Sequence, residues 1–236
     1  MIQLTVAGDA DAAARITAER VVAAIDAARQ ERGVAHISLA GGRTPAGAYR
    51  LLAQLVADWS GVHLWFGDER CVPLDDSDSN YKLIVDNLLR DAQQPPPTIH
   101  PVTGADADPA GAAAAYAQEL LDELGGPVPR LDLALLGLGE DGHTASLFPG
   151  DTAALQERER LCISVHGSKP PFDRISVTLP VLHAARRAIF LAEGAGKTWA
   201  IGQLLAGPSE RIPASLVDHE DAQIELIADE AAAPPS

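Results

Sequence analysis

The feature that most constrains this chain is an alternation, repeated nearly from end to end, of short apolar runs with segments of helical period. Runs at 37–40, 62–66, 131–136, 161–165, 174–179, 188–192 and 222–227 have the length of strands. Between them, 10–32, 45–56, 81–89, 109–124, 180–186 and 196–206 read as helices. In the first helix Ile16, Val21, Val22 and Ile25 recur at helical spacing, and Gly33 ends it. Thr44 is expected to cap the second, with Pro45 as its first residue. Strands that alternate with helices return parallel to one another. The expected architecture is therefore an α/β, three-layer α/β/α sandwich around a mostly parallel sheet. A polar loop is expected over 67–80, a short strand around His100-Pro101-Val102, and a frayed tail at DEAAAPPS. The segment QQPPPT at 93–98 is too short to divide domains, so residues 1–236 are expected to form one domain.

Composition narrows the partners. The formal net charge is −15, which disfavours nucleic acid and anionic membrane surfaces. No apolar stretch reaches the roughly 18 residues of a membrane span. The opening residues show no basic region followed by an apolar run, so no signal peptide is expected. Two cysteines, Cys71 and Cys162, give neither a disulfide framework nor a metal-ligand spacing, and a reducing, cytoplasmic setting fits them. Cys71 follows Arg70 but has no histidine near it in sequence, and it reads as inert. A small anionic substrate remains compatible with so acidic a chain, because it needs only a local cluster of the 18 Lys and Arg residues.

Residues 135–150, LLGLGEDGHTASLFPG, carry the strongest chemical signal. An apolar strand runs into a glycine-rich turn that presents Asp141 and His143 at the carboxyl edge of the sheet, where open α/β folds bind ligands. An imidazole beside a carboxylate can move a proton near neutral pH. The other histidines, His36, His63, His100, His166, His183 and His219, read as structural. Gly137, Gly139 and Gly142 match a dinucleotide fingerprint, but Pro149-Gly150 interrupts the helix it requires and no acidic residue ends the next strand. Other polar clusters also fall at element ends. Gly41-Gly42-Arg43-Thr44-Pro45 joins a strand to a helix start and suits a phosphate. Asp68, Glu69 and Arg70 follow a strand, with Ser79-Asn80 beyond them. Lys169, Arg174 and the Gly-x-Lys turn ending at Lys197 add positive charge.

Taken in order, AGGRTP, GDERCVP with its following SN, LGLGEDGHTASLFPG, KPPFDRISVTLP and GAGK resemble the 6-phosphogluconolactonase family of the sugar-phosphate isomerase and deaminase superfamily. The resemblance spans most of the chain. DGHTASLFPG is its most specific motif, whereas GGRTP and GAGK are weaker. It implies a Rossmann-like sandwich with no cofactor and no metal. It also implies hydrolysis of 6-phospho-D-glucono-1,5-lactone to 6-phospho-D-gluconate in the oxidative pentose phosphate pathway. Under it His143 is the acid–base residue and Asp141 orients the imidazole. Arg70 holds substrate or oxyanion. Gly42, Arg43, Thr44, Asp68, Arg174 and Lys197 are substrate- or phosphate-binding. Arg43 stands where many relatives carry Ser. No G-x-S-x-G elbow suggests an acyl-enzyme. A glucosamine-6-phosphate deaminase is the nearest alternative, but such relatives carry Glu where this chain has Phe148. A non-catalytic sugar-phosphate sensor would be expected to carry a helix-turn-helix ahead of the sugar domain, whereas this chain opens directly on its α/β elements. The expected state is a monomer or weak homodimer.

Overall fold

The computed structural model describes residues 2–218 and 223–234. His219, residue 222 of the last expected strand, and residues 235–236 of the expected tail lie outside them. In chain order the elements are β1 (Gln3–Ala7), α1 (Ala10–Arg32), β2 (Ala35–Leu39), α2 (Ala46–Leu55), β3 (Val62–Phe66) and β4 (Asp68–Arg70). There follow α3 (Asn80–Ile84), β5 (Thr98–Ile99), α4 (Pro109–Leu124), β6 (Leu133–Gly137), α5 (Thr152–Leu155), β7 (Cys162–His166) and β8 (Asp173–Val177). The chain continues through α6 (Leu179–Ala184), β9 (Ala188–Ala192), α7 (Thr198–Leu205) and β10 (Ile224–Asp229).

Among the described residues, seven strands form one parallel sheet in the order β1-β10-β9-β6-β2-β3-β5, with helices on both sides. The central strands are apolar on both faces because both are covered. Every residue of β2 and β9 is buried. From β2 the chain moves toward β3, and from β6 it moves the other way, toward β9. The sheet therefore reverses its winding between β2 and β6, and a crevice opens at their carboxyl ends.

Several expectations are corrected. The strands foreseen at 161–165 and 174–179 exist as β7 and β8, but they stand outside the main sheet in a three-stranded antiparallel sheet, β4-β8-β7. The connection between them, residues 167–172, is too short for the dozen or more residues that a parallel crossover needs. The polar loop over 67–80 contains β4, whose sequence Asp-Glu-Arg has no apolar alternation to announce it. The strand near His100-Pro101-Val102 is instead the two-residue β5, ending before Pro101, which has no N–H to donate. The edge strand β1 has no counterpart among the expected runs. Thr44 does not cap α2: the helix starts at Ala46 with Pro45 in the cap position and no capping side chain. The tail is folded back as far as Ala233, where Ala232 and Ala233 donate their N–H groups to Asp229 O at 3.1 Å and Ala232 is fully buried.

Candidate active site

The crevice between β2 and β6 opens into a cleft of about 370 Å³. Five separate segments wall it. Gly41 to Pro45 follow β2, and Asp68 and Arg70 stand on β4. Gly139, Glu140 and His143 follow β6, Arg174 comes from β8, and Glu193 and Lys197 follow β9. Of the expected site residues, Gly42, Arg43, Thr44, Asp68, Arg70, His143, Arg174 and Lys197 line this cleft. Asp141 does not. It lines an adjoining hollow that shares His143, Arg174 and Lys197 with the cleft and adds Lys169 and Phe148.

The first turn needs its glycines for two different reasons. Gly42 has a φ of +87°, open to glycine at little cost. Gly41 has no room for a side chain, since a Cβ there would lie 2.0 Å from Asn80 Oδ1. Asn80 in turn donates from Nδ2 to Asp68 O (2.8 Å) and to Asp68 Oδ1 (3.2 Å). Asp68 Oδ2 accepts from Ser146 Oγ at 2.6 Å. The first glycine turn, β4 and the His143 loop are thus locked by one buried polar chain.

Strand alternation sorts the charges of β4. Asp68 and Arg70 face the cleft, while Glu69 turns away and is buried. Glu69 accepts from the N–H groups of Arg70, Asn80 and Tyr81 and from Ser79 Oγ. Burial pushes its carboxyl above the ordinary range, and these donors offset part of that. Its work is to pin the loop to β4. Burial likewise pushes the Cys71 thiol up to about 11, with Asp173, Glu69 and Asp106 adding to it, in keeping with an inert cysteine.

The histidine loop is tight. His143 Nδ1 lies 2.6 Å from Asp141 Oδ1, and the same oxygen accepts the His143 backbone N–H at 3.2 Å. Gly139 N–H donates to His143 O at 2.8 Å, and a Cβ on Gly139 would fall 2.1 Å from the imidazole. Partial burial opposes ionisation of Asp141, but the hydrogen bonds and charge of His143 outweigh it and bring the carboxyl to about 2. An ionised carboxylate only accepts, so the proton between the two groups belongs to Nδ1, and in the neutral imidazole the lone pair faces outward on Nε2. The Phe148 ring packs at 4.8 Å from the imidazole and holds the Arg174 guanidinium 5.5 Å from its own centre.

Arg174 is buried and braces the loop before it, donating from Nε to Pro171 O (3.0 Å) and from Nη2 to Lys169 O (3.2 Å). Burial lowers the hold of both Arg174 and Lys197 on their protons, while Asp68 supports the arginine and Glu140 and Asp141 support the lysine. Arg70 Nη1 donates to Asp78 O at 2.6 Å.

Glu140 and Glu193 also line the cleft, and the sequence assigns neither a role, although a carboxylate at the end of an apolar strand, as at Glu193, is a fair signal. Burial pushes Glu193 up to about 7, with Asp229 and Asp11 adding to the effect. The folded protein therefore holds this proton more tightly than the unfolded chain does. Stability from this group is full below about pH 4.5 and is lost as pH rises through 7. Thermal melts between pH 5 and 8 should show Glu193→Gln losing less Tm with rising pH than the parent. Identical slopes would show that Glu193 is not the group responsible.

The model of the family described as glucosamine-6-phosphate isomerases/6-phosphogluconolactonase matches residues 8–226. A 6-phosphogluconolactonase of Streptomyces coelicolor is 41% identical over 221 residues, covering 88% of this chain and 84% of that protein. One from Synechocystis is 39% identical over 212 residues, covering 88% and 87%. Among solved structures, 6-phosphogluconolactonase from Trypanosoma cruzi superposes with a TM-score of 0.88 at 28% identity, covering 98% of this chain and 96% of that one. A monomeric glucosamine-6-phosphate deaminase, at 24% identity and a TM-score of 0.80, shares the fold. With the match running from α1 into β10 and through every wall of the cleft, the chain belongs to the glucosamine-6-phosphate isomerase/6-phosphogluconolactonase family.

Proposed function

We propose that this chain hydrolyses 6-phospho-D-glucono-1,5-lactone to 6-phospho-D-gluconate. The observation that carries the reading is the His143–Asp141 pair beside a cleft that gathers Arg43, Arg70, Arg174 and Lys197 from an otherwise acidic chain. Nε2 takes a proton from water as the water oxygen bonds to the lactone carbonyl carbon. Negative charge moves to the carbonyl oxygen, where the Arg70 guanidinium is placed to meet it. When the tetrahedral adduct collapses, the bond to the ring oxygen breaks and the imidazolium returns its proton to that oxygen. The products are a carboxylic acid and a free hydroxyl, and His143 ends neutral. Thr44, Arg174 and Lys197 hold the phosphate, and the glycine turn at Gly42 lets it approach the backbone.

The deaminase alternative needs a carboxylate where Phe148 packs on the imidazole. Every group in the proposed mechanism comes from one chain, so a monomer or weak homodimer suffices. The assay uses freshly generated lactone and follows acid release against spontaneous hydrolysis. Release no faster than the spontaneous rate would end the proposal. The mechanism uses only side chains, so pre-treatment with EDTA should leave turnover unchanged. Activity lost on chelation and restored by zinc would replace the His143 mechanism with a metal-bound water.

A further inference from the structure

Near the amino end of β3, away from the cleft, the structure gathers two of the histidines read as structural, His63 and His100. We propose that His63, His100 and Glu123 bind one divalent ion of the zinc class. The three are scattered in sequence, which is why no ligand spacing announces them. His63 lies on β3, His100 follows β5 beside it, and α4 covers both. Tyr116, Glu119 and Glu123 lie on one face of α4, turned to this part of the sheet. The ligand atoms of His63, His100 and Glu123 all fall within 4.8 Å of one another. His63 Nδ1 is 3.0 Å from His100 Nε2 and 3.8 Å from a Glu123 oxygen. Nitrogens bound tetrahedrally to zinc stand roughly 3.3 Å apart, given bonds of about 2.0–2.1 Å. The two imidazoles need shift by only a few tenths of an ångström, and the half-exposed Glu123 side chain would swing in by about an ångström to seat the ion.

The surroundings already orient one ligand. His100 Nδ1 lies 2.6 Å from Glu119 Oε1, which places its proton there and leaves a lone pair on Nε2. The Trp65 indole stacks on the same imidazole at 3.7 Å and 1°, fixing the ring plane. Burial, with His100 adding to it, disfavours the charged form of His63, in keeping with a ring that binds an ion through a lone pair. The ion would take the lone pairs of His63 Nδ1 and His100 Nε2, and a proton held between these nitrogens would shift to His63 Nε2. Two imidazoles and a carboxylate suit zinc, cobalt, nickel or copper better than magnesium or calcium. Glu123 is half-exposed and leaves the fourth position to water. His63 is three residues from Phe66 at the cleft end of β3, about 10 Å along the strand. The ion would therefore clamp β3 and β5 to α4 and take no part in hydrolysis.

The test is a titration of the chelator-treated full chain with zinc chloride, followed by calorimetry and thermal melting, with cobalt absorption as a report of tetrahedral ligation. One equivalent should bind, with a Tm that rises with zinc concentration. Glu123→Gln, on the exposed side of α4, should weaken binding at least tenfold while leaving lactone hydrolysis intact. Glu119→Gln should weaken it about 10- to 100-fold through the ligand it orients. His143→Ala should not change it. The proposal is overturned by the absence of saturable binding, by affinity unchanged in both Glu123→Gln and His63→Gln, or by loss of binding in His143→Ala.

Discussion

Replacing His143 by alanine should lower kcat for fresh 6-phospho-lactone by about 10²- to 10⁴-fold, the usual worth of a positioned acid–base group. The fold should tolerate the change. The imidazole is partly exposed, and the hydrogen bonds that shape the loop run through the His143 backbone and the Thr144 hydroxyl, which donates to Gly137 O at 2.9 Å. Circular dichroism and Tm should therefore stay near the parent values while turnover collapses. Near-full activity in the variant would remove His143 from the chemistry and leave electrostatic stabilisation by the cleft's cations as the source of rate.

Lys197→Ala should reduce kcat/KM for the phosphorylated lactone by roughly ten- to a hundredfold, the equivalent of about 1.5 to 3 kcal/mol for a charge-assisted hydrogen bond. Activity on glucono-δ-lactone, which has no phosphate for Lys197 to hold, should hardly change. An exposed surface lysine would contribute almost nothing by comparison. Lys197 is half-buried at the junction of the cleft and the adjoining hollow, so the larger figure applies. Arg174→Ala should show the same selective loss plus a fall in Tm, because its guanidinium also supports Pro171 and Lys169. Equal losses on both lactones in Lys197→Ala would move that residue from phosphate binding to catalysis.

The elements legible in the sequence are those whose stability is local or whose burial is two-sided. α1 and α4 run as expected from Ala10 to Arg32 and from Pro109 to Leu124, because acidic caps at Asp9 and Asp108 and closing glycines mark their ends. β9 is a continuous buried apolar run and β3 one interrupted only by His63, and the limits of both match the sequence. The small antiparallel sheet was illegible because β4 is held by tertiary partners and not by its own pattern. For the same reason Glu69 looked like part of a cleft-facing charge run and is in fact a buried anchor. At the site, glycines flanking a histidine told where His143 would stand. They could not tell that Arg174 would arrive from a second sheet, or that Glu193 would lose its water.

Ile37 on β2 pairs beside Leu133 on β6, and Gln3 at one end of the chain pairs with Glu225 near the other. Contacts this distant close large loops before they return any stabilisation, so they form late in folding. The cleft is walled by residues from Gly41 to Lys197 and has no wall until those loops have closed. A nascent or partly assembled chain is thus catalytically silent. Turnover is expected to report that the strands from β2 to β9 and the loops that follow them have come together.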